Sequence, residues 1–280
     1  LPFVVVAVAL AIALVYAATA TAAPREPDRE PDDGSNDEPT SLAPARFKTE
    51  AEAIGGPFPT GALLKVIKGE SGFRTGIVVA DKVTGASELG ATQLVVEHAA
   101  DGTPDLSSRS GAIGADVDPL TLRGAIWGAQ WVYAKARGLY TSDMREDGID
   151  VPPDSDVAAW TIVMHSQHSI GRFAFRKLMQ GARAAGKRTV ADVLRYWIDD
   201  KMPPRIGRMT GVLIRKRLER MARLPDDGEA YAPAPSQIAP LPERPADVPR
   251  FDAAKAKRYI LAERRRGTKA RLPDGSPPGV

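Results

Sequence analysis

Two stretches that cannot build a core bracket the part of this chain that can. Residues 24–45, "PREPDREPDDGSNDEPTSLAPA", carry seven acids, two bases and almost no large apolar side chain. Such a segment buries too little surface to offset the entropy of ordering it, so it is expected to be a disordered acidic spacer. Residues 225–280 are dominated by Pro and Ala, as in "APAPSQIAPLPERPADVP". They read as an extended linker and basic tail, with one short helix expected over 251–266. Folding is thereby confined to residues 46–224, roughly 180 residues, enough to bury a real core.

Ahead of the spacer, residues 1–23, "LPFVVVAVALAIALVYAATATAA", hold no charge. That length of apolar chain suffices to cross a bilayer as a helix. It closes on Ala18-Thr19-Ala20 and Ala20-Thr21-Ala22, spacings that suit signal peptidase. The expectation is a signal peptide or a membrane anchor, and with either the rest of the chain works in the periplasm or outside the cell. Cysteine is absent, which excludes disulfides, thiolate catalysis and Cys-ligated zinc.

Within 46–224 the apolar spacing is mostly helical. Thr60 suits an N-cap for a helix through Glu70 that carries Leu63, Leu64, Val66 and Ile67. Asp118-Pro119 suits a helix start, with Leu122, Ile126, Ala129 and Tyr133 on one side and Gly138 as a stop. One of Asp154, Ser155 or Asp156 is expected to cap "VAAWTIVMHSQH", Thr189 to cap "VADVLRYWIDD", and Thr210 to start "GVLIRKRLERMARL". The stretch "RTGIVVADKVTGASELGATQL" is the main non-helical part, expected as a loop or small hairpin with a short strand at Val78 and Val79. The fold class expected is mainly α.

One residue in this pattern carries chemistry. Glu70 stands i+3 from Ile67, i+4 from Val66 and i+7 from Leu63, on the apolar stripe at its last turn. Burial and the negative end of the helix dipole both disfavour a charged carboxylate there. A carboxyl that keeps its proton is what glycosidic cleavage needs as general acid. Gly72 lets the chain leave the helix, and Phe73 is placed to fold back over the site. Asp81 and Glu88 follow as candidates for a second acid, and otherwise as solvated loop charges.

"GESGF", then "GASELGATQL" some twenty residues on, resembles the soluble-type lytic transglycosylases of the lysozyme-like superfamily. In that family a Glu-Ser pair closes a helix and a Gly-Leu-Met-Gln segment follows; here Glu70-Ser71 and Gly90-Ala91-Thr92-Gln93 stand in those places. "DPLTLRGAIWGAQWVYAKARG" is similar to the family's next helix, and "WTIVMHSQHSIGRF" occupies the place of its last motif. The resemblance covers roughly residues 55–178. It implies an α+β, lysozyme-like domain that cleaves the bond between N-acetylmuramic acid and N-acetylglucosamine in peptidoglycan. Glu70 would be general acid and base, forming 1,6-anhydro ends. Ser71, Gln93, His165 and Gln167 would contact substrate or support Glu70. No cofactor is implied, and the partners are glycan strands and proteins of the cell envelope. Two other readings stay open: a lysozyme-type hydrolase, in which Asp81 or Glu88 would activate water, and, on Ala91-Thr92 in place of Leu-Met, a glycan-binding or assembly module of the envelope or a phage that does not cut.

The other chemistry-bearing residues do not assemble into a known pattern. His165 and His168 share a helix face, but no carboxylate completes a ligand set, so no metal is expected. Trp127, Trp131, Tyr133, Trp160 and Trp197 fall at core spacing, with Trp127 or Trp131 the one to offer a sugar a stacking face. Residues 183–223 hold twelve Lys and Arg against four acids, and 251–271 hold eight against two. These basic helices suit anionic wall polymers or lipid headgroups. They carry no nucleic-acid reading motif, and no nucleic acid is expected as partner.

Overall fold

The computed structural model describes residues 40–80, 85–201, 203–206, 209–224 and 235–269. Residues 1–23, the spacer as far as residue 39, and Asp81 lie outside them. The described chain is mainly helical with small antiparallel sheets. No described helix is long and apolar enough to cross a membrane. The described residues sort into two compact units, 48–66 with 129–245, and 40–47 with 67–128 and 246–269. The sequence led us to expect one domain ending at Leu224. The second unit instead takes in the C-terminal region, because the helix there buries Ala256, Tyr259 and Ile260.

In the first unit, helices α5 (Val157–Ser169), α6 (Arg172–Ala184), α7 (Val190–Arg195) and α8 (Gly211–Arg223) pack on one another. A π-helical turn, Tyr196–Lys201, extends α7. The starts follow local chemistry. Asp156 Oδ1 accepts from the Ala159 amide, Thr189 Oγ1 from Asp192, and Thr210 Oγ1 from Leu213. Helix α6, which the spacing analysis did not single out, buries Ala174, Phe175, Leu178, Met179 and Ala182 along one stripe.

Helix α4 (Leu122–Asp147) runs past Gly138, where a stop was expected. Tyr140 and Met144 continue its buried stripe beyond that glycine, and their burial outweighs the cost of about 1 kcal/mol for glycine within a helix. Its start also lies later than Asp118-Pro119, since those residues form the turn before it. There Asp118 Oδ1 accepts from Leu120 N at 3.0 Å and Thr121 Oγ1 accepts from Gly124 N at 3.1 Å.

On α4, Asp143 is fully buried and receives two 2.7 Å hydrogen bonds from Arg172, while Asp147 takes Arg176 in the same bidentate way. Asp143→Asn is expected to cost about 2 kcal/mol in a urea melt, within the range for hydrogen bonds to charged groups. The value stays modest because Arg172 is half exposed and can turn to water.

In the second unit, β1 (Thr40–Ser41) pairs with β2 (Arg74–Thr75), and β3 (Val78–Ala80), β4 (Ala86–Leu89) and β5 (Leu94–Glu97) form one antiparallel sheet in that order. This is more regular than the expected loop or hairpin. Alternation supports it: Ser87 and Leu89 on β4, and Leu94 and Val96 on β5, are buried while their neighbours are half-buried. Helix α3 (Gly111–Ala115) packs on β5, and α9 (Ala253–Lys269) packs on β3.

Helix α9 is also tied down by charge. Lys255 reaches Asp118 and Lys257 reaches Asp101, each at 2.9 Å, and Arg264 donates to the Ala100 carbonyl at 2.6 Å. These cations of the tail thus have internal partners. Hydrogen bonds from Lys257 and then Thr103 hold the Asp101 carboxyl well below the usual carboxylate range. A carboxyl depressed on folding stabilises above its ordinary value and loses that effect as pH falls through the folded one. Amide exchange across α9 should therefore stay slow in acid that protonates ordinary carboxylates, and Lys257→Met should remove that resistance.

Candidate active site

Helix α2 (Thr60–Ser71) includes Thr60 as its first residue instead of being capped by it, since Leu63 N donates to the Pro59 carbonyl at 2.9 Å, and it carries Glu70 on its last turn. Leu63, Leu64, Val66 and Ile67 are buried, and Glu70 is half-exposed. The carboxylate therefore meets solvent from the end of an otherwise buried stripe. Ser71 is 2% exposed, and its hydroxyl donates to the Ile67 carbonyl at 3.0 Å. Its role here is to close the helix.

The helix stops because two successive residues turn left-handed, Gly72 at φ 60° and Phe73 at φ 62°. Glycine does so without strain, whereas phenylalanine does not. What holds Phe73 is its packing. It is buried, its ring lies 5.3 Å from Phe47, and its carbonyl accepts from Leu42 N at 3.0 Å. Phe73 is thus pinned on Phe47. Arg74 Nε donates to the Ser71 carbonyl at 2.8 Å, satisfying one of the carbonyls at the helix end.

The second segment, Gly90 to Gln93, turns the chain from β4 into β5. Gly90 has φ 77°, and a Cβ there would lie 1.7 Å from the Pro119 carbonyl oxygen. The glycine is needed so that the turn can press on the Asp118-Pro119 segment. Thr92 is buried and donates to the Ala125 carbonyl at 3.0 Å. Gln93 is 6% exposed, with φ 53°, and its amide donates to the Gly90 carbonyl at 2.7 Å. The second and third segments of the resemblance are in this way packed together. The third left-handed non-glycine among the described residues, Asp116 at φ 52°, stands just before Asp118-Pro119.

His165 and Gln167 belong to the first unit. His165 on α5 is 3% exposed, and its Nδ1 is 3.2 Å from the Tyr133 hydroxyl. Tyr133 stacks on Phe58 at 3.8 Å between ring centres. The expected groove-lining histidine is therefore part of a packed aromatic cluster. Gln167 lies near the end of α5, and its side chain is outside the described part. Glu88 is half-buried on β4. Trp127 is buried, and Trp131 is half-exposed with Lys135 Nζ 4.9 Å from its ring centre. Among the described residues, no three His, Asp or Glu side chains converge as metal ligands.

Sequence reasoning missed the clamp at Gln130. Its side chain donates to the Phe58 carbonyl at 2.8 Å and accepts from the Phe58 amide at 2.7 Å, one turn from Tyr133. The available signal was a lone amide in the apolar run "AIWGAQWVY". No family model, curated protein or solved structure matches the chain.

Proposed function

We propose that the protein is a peptidoglycan lytic transglycosylase of lysozyme-like fold, working in the periplasm or outside the cell, with Glu70 as its one catalytic carboxyl. One observation carries this reading. All three left-handed non-glycine residues among the described ones, Phe73, Gln93 and Asp116, fall in or beside the three segments that carry the resemblance. Strained backbone of this kind persists where the surroundings over-determine it, and it gathers at functional sites.

In the proposed reaction the Glu70 carboxyl gives its proton to the glycosidic oxygen, and the bond from that oxygen to C1 of the muramyl residue breaks. The acetamido group of the same sugar supports C1 as positive charge develops. The Glu70 carboxylate then takes the proton of the muramyl 6-hydroxyl, whose oxygen bonds to C1 and closes the 1,6-anhydro ring. A single carboxyl suffices because the substrate supplies the internal nucleophile. Gln93 stiffens the turn between β4 and β5, which presents the second segment.

Incubating the full chain with purified sacculi and weighing the released fragments tests the reading. Fragments lighter by one water than hydrolysis products support it, and hydrolysed ends favour the hydrolase. A specific observation favours the second class of reading, a module that binds glycan without cutting: Gln93 and His165 are both buried on internal partners. Sacculi that bind the protein yet release no fragment would establish that reading instead.

A further inference from the structure

Helix α8 has two faces. Ile214, Leu218 and Met221 are buried on one, while Lys216, Arg220 and Arg223 recur at i, i+4 and i+7 on the other. That cationic stripe is exposed. With Glu219, Leu224 and Lys65 of α2 it lines a cavity of about 280 Å³. Lys65 is unusual in its own helix, being the one residue of 61–67 that is not buried. Four cations thus line one concavity, and Glu219 is the one carboxylate among its described lining residues. Among the described residues, no carboxylate makes an ion pair with Lys65, Lys216 or Arg223.

Holding like charges side by side around one concavity is unfavourable unless an anion joins them. We infer that this cavity binds a phosphate group, whether free, in a polymer or on a lipid headgroup. Its volume stands at the small end of ligand sites and suits one headgroup-sized anion. The chemistry suits phosphate in particular, since arginine forks match its oxygens in pairs and the lysines add point charge. The site is independent of Glu70 and of whether the chain cuts glycan.

The test is a nuclear magnetic resonance titration of the full chain with inorganic phosphate at low salt. Saturable shifts are expected at Lys65 and along 216–223. The pair Lys65→Gln with Arg223→Gln should weaken binding about tenfold or more, the effect of losing two charge contacts. Arg195→Gln, on exposed α7, should leave it within about twofold. Unsaturable shifts, an unchanged double variant, or equal weakening by Arg195→Gln would each overturn the proposal. Circular dichroism of the double variant checks that it folds; if it does not, Lys216→Gln takes its place.

A second arm separates the sources of phosphate. Sedimentation with phosphatidylglycerol–phosphatidylcholine vesicles, lost in the variant and absent with phosphatidylcholine alone, assigns the site to a lipid headgroup. Phosphate binding without sedimentation assigns it to soluble or polymer phosphate. Fragment release from sacculi should be the same in the double variant and the wild type, so failure of this site is distinguishable from failure of Glu70.

Discussion

Glu70→Gln is expected to end fragment release from sacculi while leaving sacculus binding intact. The amide matches the carboxyl in shape but has no acidic proton to give and no carboxylate with which to take one back. General acid–base groups contribute about 10²–10⁴ in rate, and the loss should fall in that span. Folding should be spared, because Glu70 is half-exposed on the last helical turn and the buried stripe ends at Ile67 before it. A variant that releases fragments as fast as wild type would remove Glu70 from the mechanism. If products carry hydrolysed ends, Glu88→Gln becomes the informative second variant, because only a hydrolase needs another acid to activate water.

Gly90→Ala should strongly destabilise the second unit. Two costs combine. Alanine at φ 77° adopts a backbone that L-residues rarely hold, a strain of about 1–3 kcal/mol. Its Cβ would also stand 1.7 Å from the Pro119 oxygen and 2.6 Å from the Pro119 carbonyl carbon. Those are backbone atoms that no rotamer change can move, and overpacking adds about 1–3 kcal/mol. The sum, about 2–6 kcal/mol, reaches the lower end of the whole stability of many domains, about 5–15 kcal/mol. Gly138→Ala is the matched control. That glycine lies within α4 with nothing inside 4 Å of an added Cβ, so the substitution should stabilise by up to about 1 kcal/mol. Urea melts of both variants measure the contrast, and equal midpoints would refute the close approach of the turn to Pro119.

What the sequence disclosed was mostly local. Asp156, Thr189 and Thr210 cap the helices they were expected to cap, because side-chain capping depends on a few adjacent residues. Glu70 at the end of a buried stripe, and Gly72 as the exit from it, were also legible, since both follow from helical periodicity. Non-local burial was not. Gly138 looks like a stop until Tyr140 and Met144 are seen to be buried beyond it. The basic tail reads as a binding surface for anions until its partners Asp101 and Asp118 appear, more than a hundred residues earlier. His165 reads as a site residue by its position, yet its surroundings are Tyr133 and Phe58, which no spacing rule connects to it.

The attachment of α9 also sets the order in which the chain can mature. Asp118 N donates to the Pro249 carbonyl, Lys255 pairs with Asp118, and Ile260 is fully buried. The second unit is therefore begun near residue 40 and finished only by residues from 246 on. Contacts so far apart in sequence slow folding, because a long loop must close before they stabilise anything. A nascent chain halted before residue 246 carries β3 without the helix that covers it.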